Sequence, residues 1–445
     1  MSGREPDISP SAGRLVDEDA RYFLHQAAST PCRSAVQRAE GIWVEELGGR
    51  RFMDFHGNSV HHLGYAHPTL VAALKAQLDD LTFSPRRFTN EVAVALARRL
   101  AELAPDPLGK VLLAPSGNDA MEIALRLARV ATGRYKTVSF WDAYHGAGLA
   151  ASSVGGEREY RSGPNGPLLP GAEHVAPPTC YRCPYGYPER GGRPLLDVCR
   201  MICAHFVRYV LDKEGDVAAV VAEPIRSTAY VPPPGFWEEV RAACDAHGAL
   251  LVFDEVPNGL GKTGRLFAFE HFGVVPDIVV LGKALGGGIL PLAAVIARRD
   301  LDVSGDLSIG HYTHEKNPLV ARAGLTTLEI LETGRLVDRA ARLGTWALDR
   351  LRELGQRHRM VGDVRGLGLR LAVELVEDPS TKAPARTAAQ EVSRRAFARG
   401  LSFTVGGESV LVLSPPLVIT EQELGMAFDI LDVSLGEVEA ASRGR

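Results

Sequence analysis

The sequence predicts an α/β fold built on a mostly parallel sheet. Three short apolar runs are separated by segments of helix length, and they occupy residues 218–222, 250–254 and 278–281. An ionisable residue ends or follows each run: Glu223, Asp254 and Lys283. Strands that alternate with helices form parallel sheets, and ligands bind at the carboxyl edge of such sheets. We therefore expect these three side chains at one edge.

The N-terminal part is predicted to begin without regular structure and to continue as a helix and a hairpin. Residues 1–14 are rich in Pro, Ser and Gly and lack periodicity, which favours disorder. Residues 41–55 alternate between apolar and polar on both sides of Gly48 and Gly49, which predicts a hairpin. Helical spacing returns at 69–80 and 91–104.

From residue 111 the pattern alternates between strands and helices. A strand at 111–113 leads into an Ala- and Leu-rich helix that runs to residue 131. Further strands are predicted at 136–141, 217–223, 249–254 and 278–281. Residues 155–195 are rich in Gly and Pro and exceed a usual connection, so they are a functional segment or an insertion.

The last third of the chain predicts a smaller α+β domain. Its pattern gives a long helix from about residue 317, a strand at 367–375, a helix at 385–399, a strand at 409–413 and a helix at 421–436. We expect residues 58–320 to form a large domain and residues 321–445 a small one. Residues 1–57 are expected to join the small domain.

The bulk composition is that of a globular protein in the cytoplasm. The chain has 445 residues, 45% of them hydrophobic, and a net charge of −4. A small negative net charge does not indicate a basic surface that would bind polyanions, so nucleic acid is not an expected partner. No apolar stretch approaches the roughly 20 residues of a membrane span, and the N-terminus lacks the apolar core of a signal peptide. We expect no membrane association.

Four cysteines form a spaced pattern with two interpretations. Cys180, Cys183, Cys199 and Cys203 follow C-x2-C-x15-C-x3-C, which is close to the spacing of structural zinc sites. Against zinc, the last two cysteines fall in a helical pattern over 195–213 and their spacing is loose. We expect free thiols and no metal, with zinc as the open alternative, since disulfides are rare in the cytosol.

A candidate phosphate-binding turn lies between the strand and the helix near residue 116. Ser116, Gly117 and Asn118 would open the helix, where free backbone N–H groups and the helix dipole favour an anion. Gly117 would allow close approach. Ser and Asn are also ordinary helix caps, so the motif alone is weak.

Several residues near the strand ends could contact a flat ring. Tyr144, in the run Tyr144-His145-Gly146, could stack on an aromatic ligand or be a half-buried loop tyrosine. Val256 could pack under a ring or belong to the core. Glu223 could be a second acid of the site or a structural residue.

The pair Lys283 and Asp254 suits pyridoxal phosphate. A lysine amine forms a Schiff base with this cofactor, and a carboxylate pairs with its pyridine nitrogen. Lys283 follows an apolar run and precedes Gly286, Gly287 and Gly288, so a surface position is not expected. Burial would depress its pKa and make it nucleophilic. The alternative for Asp254 is a helix cap.

Thr313 offers a hydroxyl that could complete the phosphate cup. His311 and His314 beside it suggest a metal, but no third ligand has convincing spacing.

Together these residues resemble the class III aminotransferases, over about residues 41–420. The matching motifs include Ser116–Ala120, Tyr144–Gly146, Asp254–Val256, Gly259–Gly264, the Lys283 segment and Pro415–Leu417. The resemblance implies fold type I, with a mostly parallel seven-stranded sheet in the large domain. It implies phosphate binding by Gly117 and Asn118, ring stacking by Tyr144, a pyridinium contact from Asp254 and an internal aldimine at Lys283. It further implies a homodimer with active sites at the subunit interface, in which Thr313 reaches the neighbouring subunit's phosphate.

Two departures from the family concern the substrate. Pro257 stands where the family usually has glutamine, and Val412 stands where members that use amino acids often have an arginine for the α-carboxylate. A valine cannot form that bidentate pair. Arg86, Arg87 and Arg370 are candidate replacements, although Arg86 and Arg87 could equally lie in a solvated loop.

The chain is also similar to a subgroup of ammonia-lyases that act on 1-hydroxy-2-aminoethylphosphonate. Shared features include the Pro257 variant, residues 23–26, 29–32 and 181–184, and residues 313–318. We expect a pyridoxal-phosphate enzyme that acts on a small primary amine. Amino transfer to a keto acid or aldehyde is the first expectation, and elimination from an amino-phosphonate or amino-phosphate is the alternative, because both use the same cofactor contacts. Racemisation comes third, and a zinc-stapled binding protein on a degenerate enzyme fold is disfavoured by the intact Lys283 and Asp254.

Overall fold

The computed structural model describes residues 8–27, 29–30, 32–190 and 193–443. The helices α1 to α12 are, in order, Pro10–Tyr22, Pro68–Asp80, Glu91–Leu103, Gly117–Thr132, Leu149–Val154, Leu196–Cys199, Ile202–Glu214, Phe236–His247, Pro318–Thr333, Leu336–Arg357, Arg386–Ala398 and Glu421–Arg443. The strands β1 to β17 are, in order, Val36–Glu40, Trp43–Glu46, Arg51–Asp54, Leu108–Ala114, Lys136–Phe140, Ala172–Val175, Glu189–Arg190, Arg193–Pro194, Val217–Ala222, Leu250–Asp254, Ile278–Leu281, Ala293–Arg298, Val361–Leu367, Arg370–Leu375, Leu401–Ser402, Thr404–Gly406 and Val410–Leu413.

A mostly parallel seven-stranded sheet lies at the centre of the fold, which confirms the predicted fold class. Its strand order is β4-β12-β11-β10-β9-β5-β6. Only β12 runs antiparallel to its neighbours β4 and β11. Every residue of β9, β10 and β11 is buried, as expected for strands covered on both faces.

The register of the three central strands aligns their carboxyl ends. Phe253 pairs with Ala222, and Asp254 pairs with Val280, both in parallel ladders. Glu223, Asp254 and Lys283 therefore emerge at the same edge of the sheet, because each follows or ends one of these adjacent strands.

Two smaller sheets connect the ends of the chain. The first has the order β1-β2-β3-β15, and its parallel pairing of Met53 with Leu401 joins the N-terminal segment to the C-terminal part. The second, β13-β14-β17-β16, is antiparallel throughout. The pairing agrees with a domain shared by both chain ends, and the boundaries at 57 and 320 stay predictions.

Helix α9 packs against helix α3, which precedes strand β4 of the central sheet. A Cβ on Gly324 would lie 2.9 Å from Leu96 of α3, so glycine is needed for this close approach. Arg99 of α3 also forms an ion pair of 2.7 Å with Glu332.

Local structure departs from the sequence prediction in three places. Helix α1 begins at Pro10 and is capped by Ser9, so the disorder predicted for 10–14 is wrong, and residues 1–7 lie outside the described part. The long helix from 317 is two helices, because Arg335 adopts a left-handed conformation (φ 47°). The strand predicted at 367–375 is β14, which begins later, at Arg370, because the chain turns at Gly368 (φ 54°); its hairpin partner β13 was not predicted.

Strands β6 and β12 were not predicted, although β12 is an apolar run of ordinary strand length. Among the described helices, none has both the length and the apolar character of a membrane span.

Candidate active site

Lys283 lies immediately beyond β11 with its backbone in the left-handed region (φ 44°). Such a conformation is uncommon outside glycine and is often found at functional sites. Desolvation lowers the pKa of its amine, and the charge of Arg370 acts in the same direction, while Asp254 and Glu223 oppose this shift. Within the described chain its Nζ makes no hydrogen bond or ion pair. The site thus holds a desolvated amine that is available to react.

Asp254 is held in a defined orientation at the end of β10. Its Oδ2 lies 2.8 Å from Nδ1 of His145, and its Oδ1 accepts a hydrogen bond of 3.0 Å from the backbone N–H of Val256. Both Asp254 and His145 are buried. A buried carboxylate is costly without a cationic or donor partner. Nε2 of His145 has no partner among the described residues.

The side chain of Val256 lies between two glycines. A Cβ on Gly117 would lie 3.1 Å from Cγ1 of Val256, and a Cβ on Gly282 would lie 3.2 Å from the same atom. These contacts bring the start of α4, the turn after β10 and the residue before Lys283 into one compact layer.

The start of α4 forms an anion cradle. Oγ of Ser116 accepts a hydrogen bond of 3.1 Å from the N–H of Asp119. The N–H groups of Gly117 and Asn118 belong to the first turn and have no partner within the helix. Oδ1 of Asn118 accepts a hydrogen bond of 2.7 Å from Gly148. This side chain therefore ties the cradle to the loop after β5, while free amides and the helix dipole face outward.

Tyr144 is half buried in the loop after β5. Its ring centroid lies 4.6 Å from that of Tyr160, and burial raises the pKa of its hydroxyl. The backbone N–H of Tyr144 lies 3.5 Å from Oε1 of Glu223, whose Oε2 accepts a hydrogen bond of 2.6 Å from Ser227. Glu223 therefore holds two loops at the sheet edge.

Three of the predicted site residues lie apart from this cluster within one chain. Thr313 and Arg87 are exposed and Arg86 is half buried. None of the three makes a hydrogen bond or ion pair with the cluster in the part of the chain that the structure describes. Their loops, 81–90 and 311–317, lie against each other, since the rings of Phe83 and His314 are 5.4 Å apart.

Arg370 is buried and engaged by protein groups. It donates to Oδ1 of Asn258 (2.7 Å), Oγ of Ser59 (3.1 Å) and the carbonyl oxygen of Pro257 (2.5 Å). Burial lowers its pKa to about 10. Pro257 thus offers its carbonyl oxygen to Arg370, and protein acceptors engage the guanidinium at three points.

Arg226 borders the site and was not predicted. Its Nη1 lies 3.5 Å from the carbonyl oxygen of Trp141, and its Nε is buried without a partner among the described residues. Burial raises the pKa of Glu157, and the positive charge of Arg226 acts to lower that pKa. In the sequence, its position three residues after Glu223 could have indicated that Arg226 lies near the site.

The arrangement fits pyridoxal phosphate. Unpaired first-turn amides suit the phosphate, the oriented carboxylate of Asp254 suits the ring nitrogen, and the free amine of Lys283 suits the aldehyde. Glycine at 117 lets Val256 pack directly against the start of α4, which places this side chain beside the cradle.

Comparison with known proteins agrees with this fit. Residues 24–435 match the family described as Aminotransferase class-III. The chain is 40% identical over 434 residues to the (R)-1-hydroxy-2-aminoethylphosphonate ammonia-lyase of Vibrio splendidus (strain 12B01), with 95% of this chain and 90% of that protein covered. It is 35% identical over 440 residues to the leucine/methionine racemase of Thermococcus litoralis, with 97% of each covered.

A solved structure of a Bacillus anthracis aminotransferase superposes with a TM-score of 0.87 at 30% identity, covering 96% of this chain and 98% of that one. The protein is a pyridoxal-phosphate-dependent enzyme of the class III aminotransferase family.

Proposed function

We propose that this enzyme releases ammonia from a small primary amine that carries a phosphonate or phosphate group, without needing a keto acid. The observation that carries the proposal is the environment of Val412. This side chain is buried in an apolar cluster with Ala229, Ala372 and Val410. The position from which family members often hold an α-carboxylate therefore offers no cation, so a substrate without that carboxylate fits better.

Arg226 supports an anionic group elsewhere on the substrate. Its Nε lacks a partner in the described chain, and it lies beside Glu223 and Trp141 at the site's border. A guanidinium suits the planar, two-point recognition of phosphonate oxygens. Arg86 and Arg87 remain proposed substrate residues. Because they lie apart from the cluster within one chain, we further propose that they reach it from a neighbouring subunit. Arg370 stays a weaker proposal, since its donors are engaged by protein acceptors.

The Vibrio splendidus relative supports the reaction type, because its name describes ammonia release from a hydroxylated amino-phosphonate. We propose a substrate of that class, with a hydroxyl on the carbon next to the one that bears the amine.

We assign the cofactor contacts to the residues around Lys283. Bound pyridoxal phosphate supplies an electron sink for the carbon that bears the amine. Lys283 would hold the cofactor covalently until the amine of the substrate displaces it, Asp254 would pair with the ring nitrogen, and Tyr144 would cover the ring. His145 orients Asp254. The remaining proposed contacts are Ser116, Gly117, Asn118, Glu223, Val256 and, from the partner subunit, Thr313.

The proton transfers are assigned to Lys283. Once the amine of the substrate has displaced it from the cofactor, the amine of Lys283 would remove the proton from the amine-bearing carbon. It would then deliver a proton to the hydroxyl, which leaves the neighbouring carbon as water. A carbon–hydrogen bond and a carbon–oxygen bond break, and a carbon–carbon double bond forms. The released enamine tautomerises to an imine. Addition of water to the imine then breaks the carbon–nitrogen bond, which gives an aldehyde and ammonia.

Amino transfer is the second candidate, because the same cofactor contacts serve it and solved aminotransferases share this fold. The decisive experiment incubates the enzyme and pyridoxal phosphate with either enantiomer of 1-hydroxy-2-aminoethylphosphonate. Ammonia release without a keto acid is expected. The matched control is 2-aminoethylphosphonate, which lacks the leaving hydroxyl and can only be transaminated. Turnover that requires a keto acid for both compounds would reject elimination.

We also propose that the enzyme is a cytoplasmic homodimer. Exposed apolar side chains cluster at the end of α2 and in the loop after it: Leu78, Leu81, Phe83 and Phe88. They adjoin the loop that carries Thr313, which suits an interface at the phosphate cradle. None of the six cysteines, all of which lie in the described part of the chain, forms a disulfide, in keeping with a reducing compartment. Light scattering that gives the mass of one chain would contradict the dimer.

A further inference from the structure

Four cysteines of the chain line one small cavity outside the active site. Cys180, Cys183, Cys199 and Cys203 all border it, and the rest of its wall is mostly proline, tyrosine and other apolar groups. The cavity measures about 30 Å³, which is room for about one water-sized particle. The other two cysteines, Cys32 and Cys244, lie elsewhere.

The backbone breaks between two of these cysteines. The sequence pattern indicated one helix over 195–213, but Arg200 and Met201 both adopt left-handed conformations (φ 47° and 56°). Consecutive non-glycine residues in this region are costly, and such strain is usually retained for a reason. Here the break separates α6 from α7 and leaves Cys199 and Cys203 on the same cavity. The helical pattern over 195–213 therefore does not exclude a metal at these four cysteines.

The four thiols are not disulfide bonded. Cys180 lies close enough to Cys183, Cys199 and Cys203 for their charges to interact. In the described chain no three His, Cys, Asp or Glu side chains stand at metal-binding distance, so the thiols must rotate inward to bind an ion. Zinc–sulfur bonds are about 2.3 Å long.

We propose that Cys180, Cys183, Cys199 and Cys203 bind one zinc ion as a structural site. Each thiol gives up its proton and bonds to the metal as a thiolate, without any change of oxidation state. Four thiolates in a tetrahedron form the closed coordination of structural zinc, which leaves no position for a substrate.

The zinc would fix the segment that contains Cys180 and Cys183. This segment contacts both the small antiparallel sheet and the wall of the active site. Arg182 bonds to Glu374 of β14 and to the carbonyl oxygen of Lys382. Nζ of Lys382 in turn donates to the carbonyl oxygen of Tyr181 (2.9 Å) and to Glu189 (2.9 Å).

Residues 177–179, which immediately precede Cys180, border the active site. Pro177, Pro178 and Thr179 line a second small cavity together with Glu223 and Arg226. Loss of the metal should therefore loosen the wall beside Arg226 and leave the contacts of Lys283 with the cofactor intact.

The test measures metal content of the full-length holoenzyme by mass spectrometry after purification without a metal-affinity tag. One zinc per chain is expected, and the double variant Cys180→Ser/Cys203→Ser should lose it. The variants Cys32→Ser and Cys244→Ser are matched controls and should keep it. The double variant should also unfold at a lower temperature while its cofactor absorbance stays. Cobalt supplied in place of zinc should give thiolate charge-transfer bands in the wild type and in both control variants, and none in the double variant.

Three outcomes would overturn the proposal. Zinc absent from the wild type, with no cobalt spectrum after reduction and reloading, would exclude the site. Zinc kept in full by the double variant would place it on other residues. An intact mass that shows disulfides among these cysteines, or an iron–sulfur chromophore, would assign the cluster to redox chemistry instead.

Discussion

Nδ1 of His145 lies 2.8 Å from Oδ2 of Asp254, and the side chains of the two residues are 0% and 3% exposed. The contact joins the loop after β5 to the end of β10, across 109 positions of the chain. Because Asp254 also accepts the N–H of Val256, its carboxylate is fixed in one plane before any ligand binds.

Removal of His145 should weaken cofactor binding and turnover together. His145→Ala leaves the buried carboxylate without its side-chain hydrogen-bond partner, which should cost about 1–3 kcal/mol of folding free energy and leave Asp254 less well oriented. His145→Asn is the control, because its amide can donate from nearly the position of Nδ1. Cofactor affinity is measured by absorbance titration. Equal losses in both variants would mean that the hydrogen bond is not what matters.

Lys283→Ala should lose the absorbance band of the bound cofactor and reduce turnover by at least about 10²- to 10⁴-fold. Lys262 is the matched control, since it is also a buried lysine, with its Nζ donating to the carbonyl oxygen of Pro415 at 2.8 Å. Lys262→Met should retain the band and most of the turnover. Turnover that survives in Lys283→Ala would refute the assignment of the reactive amine.

Gly117→Ala should weaken cofactor affinity by about 1–3 kcal/mol, because the new methyl group would overpack against Val256. Val256→Ala opens space at the same point, so the double variant should bind better than the sum of the two single losses predicts. Equilibrium dialysis of the four proteins measures this coupling. Strict additivity would show that the two side chains do not share the space.

The stability of the cofactor-free protein should depend on pH through Lys283. Desolvation lowers its pKa in the folded state, while the unfolded chain keeps the ordinary value. Between these two values the unfolded state binds more protons, so stability rises with pH in that interval. Lys283→Met should therefore stabilise most below the lowered pKa, and the gain should shrink towards the ordinary lysine pKa. Urea unfolding at several pH values checks this, and a constant gain would contradict it.

Arg226→Gln should raise KM for an amino-phosphonate by about 10- to 100-fold, the loss expected for hydrogen bonds to a charged group. A neutral amine of similar size should be nearly unaffected. The same comparison applied to Arg87→Ala tests that residue as an anchor supplied across the subunit interface. If each variant changes KM by the same factor for charged and neutral amines, neither arginine binds the anion.

The sequence by itself identified the parts of the site that local patterns encode. An apolar run that ends in an ionisable residue marks a buried strand with a side chain at its carboxyl end, so Glu223, Asp254 and Lys283 could be placed at one sheet edge. The turn at Ser116 was recognisable in the same way, because a cap and a glycine precede an amphipathic helix.

Tertiary structure alone decided which distant groups meet. The pairing of His145 with Asp254 and the contact of buried Arg370 with the carbonyl oxygen of Pro257 join segments far apart in sequence. The burial of Nε of Arg226 without a partner among the described residues is likewise a result of the folded arrangement. The insertion of β12 between β4 and β11 likewise depends on non-local strand pairing. Periodicity reports how each segment faces the core, whereas the partner of a buried polar group is set by which segments the folded chain brings together.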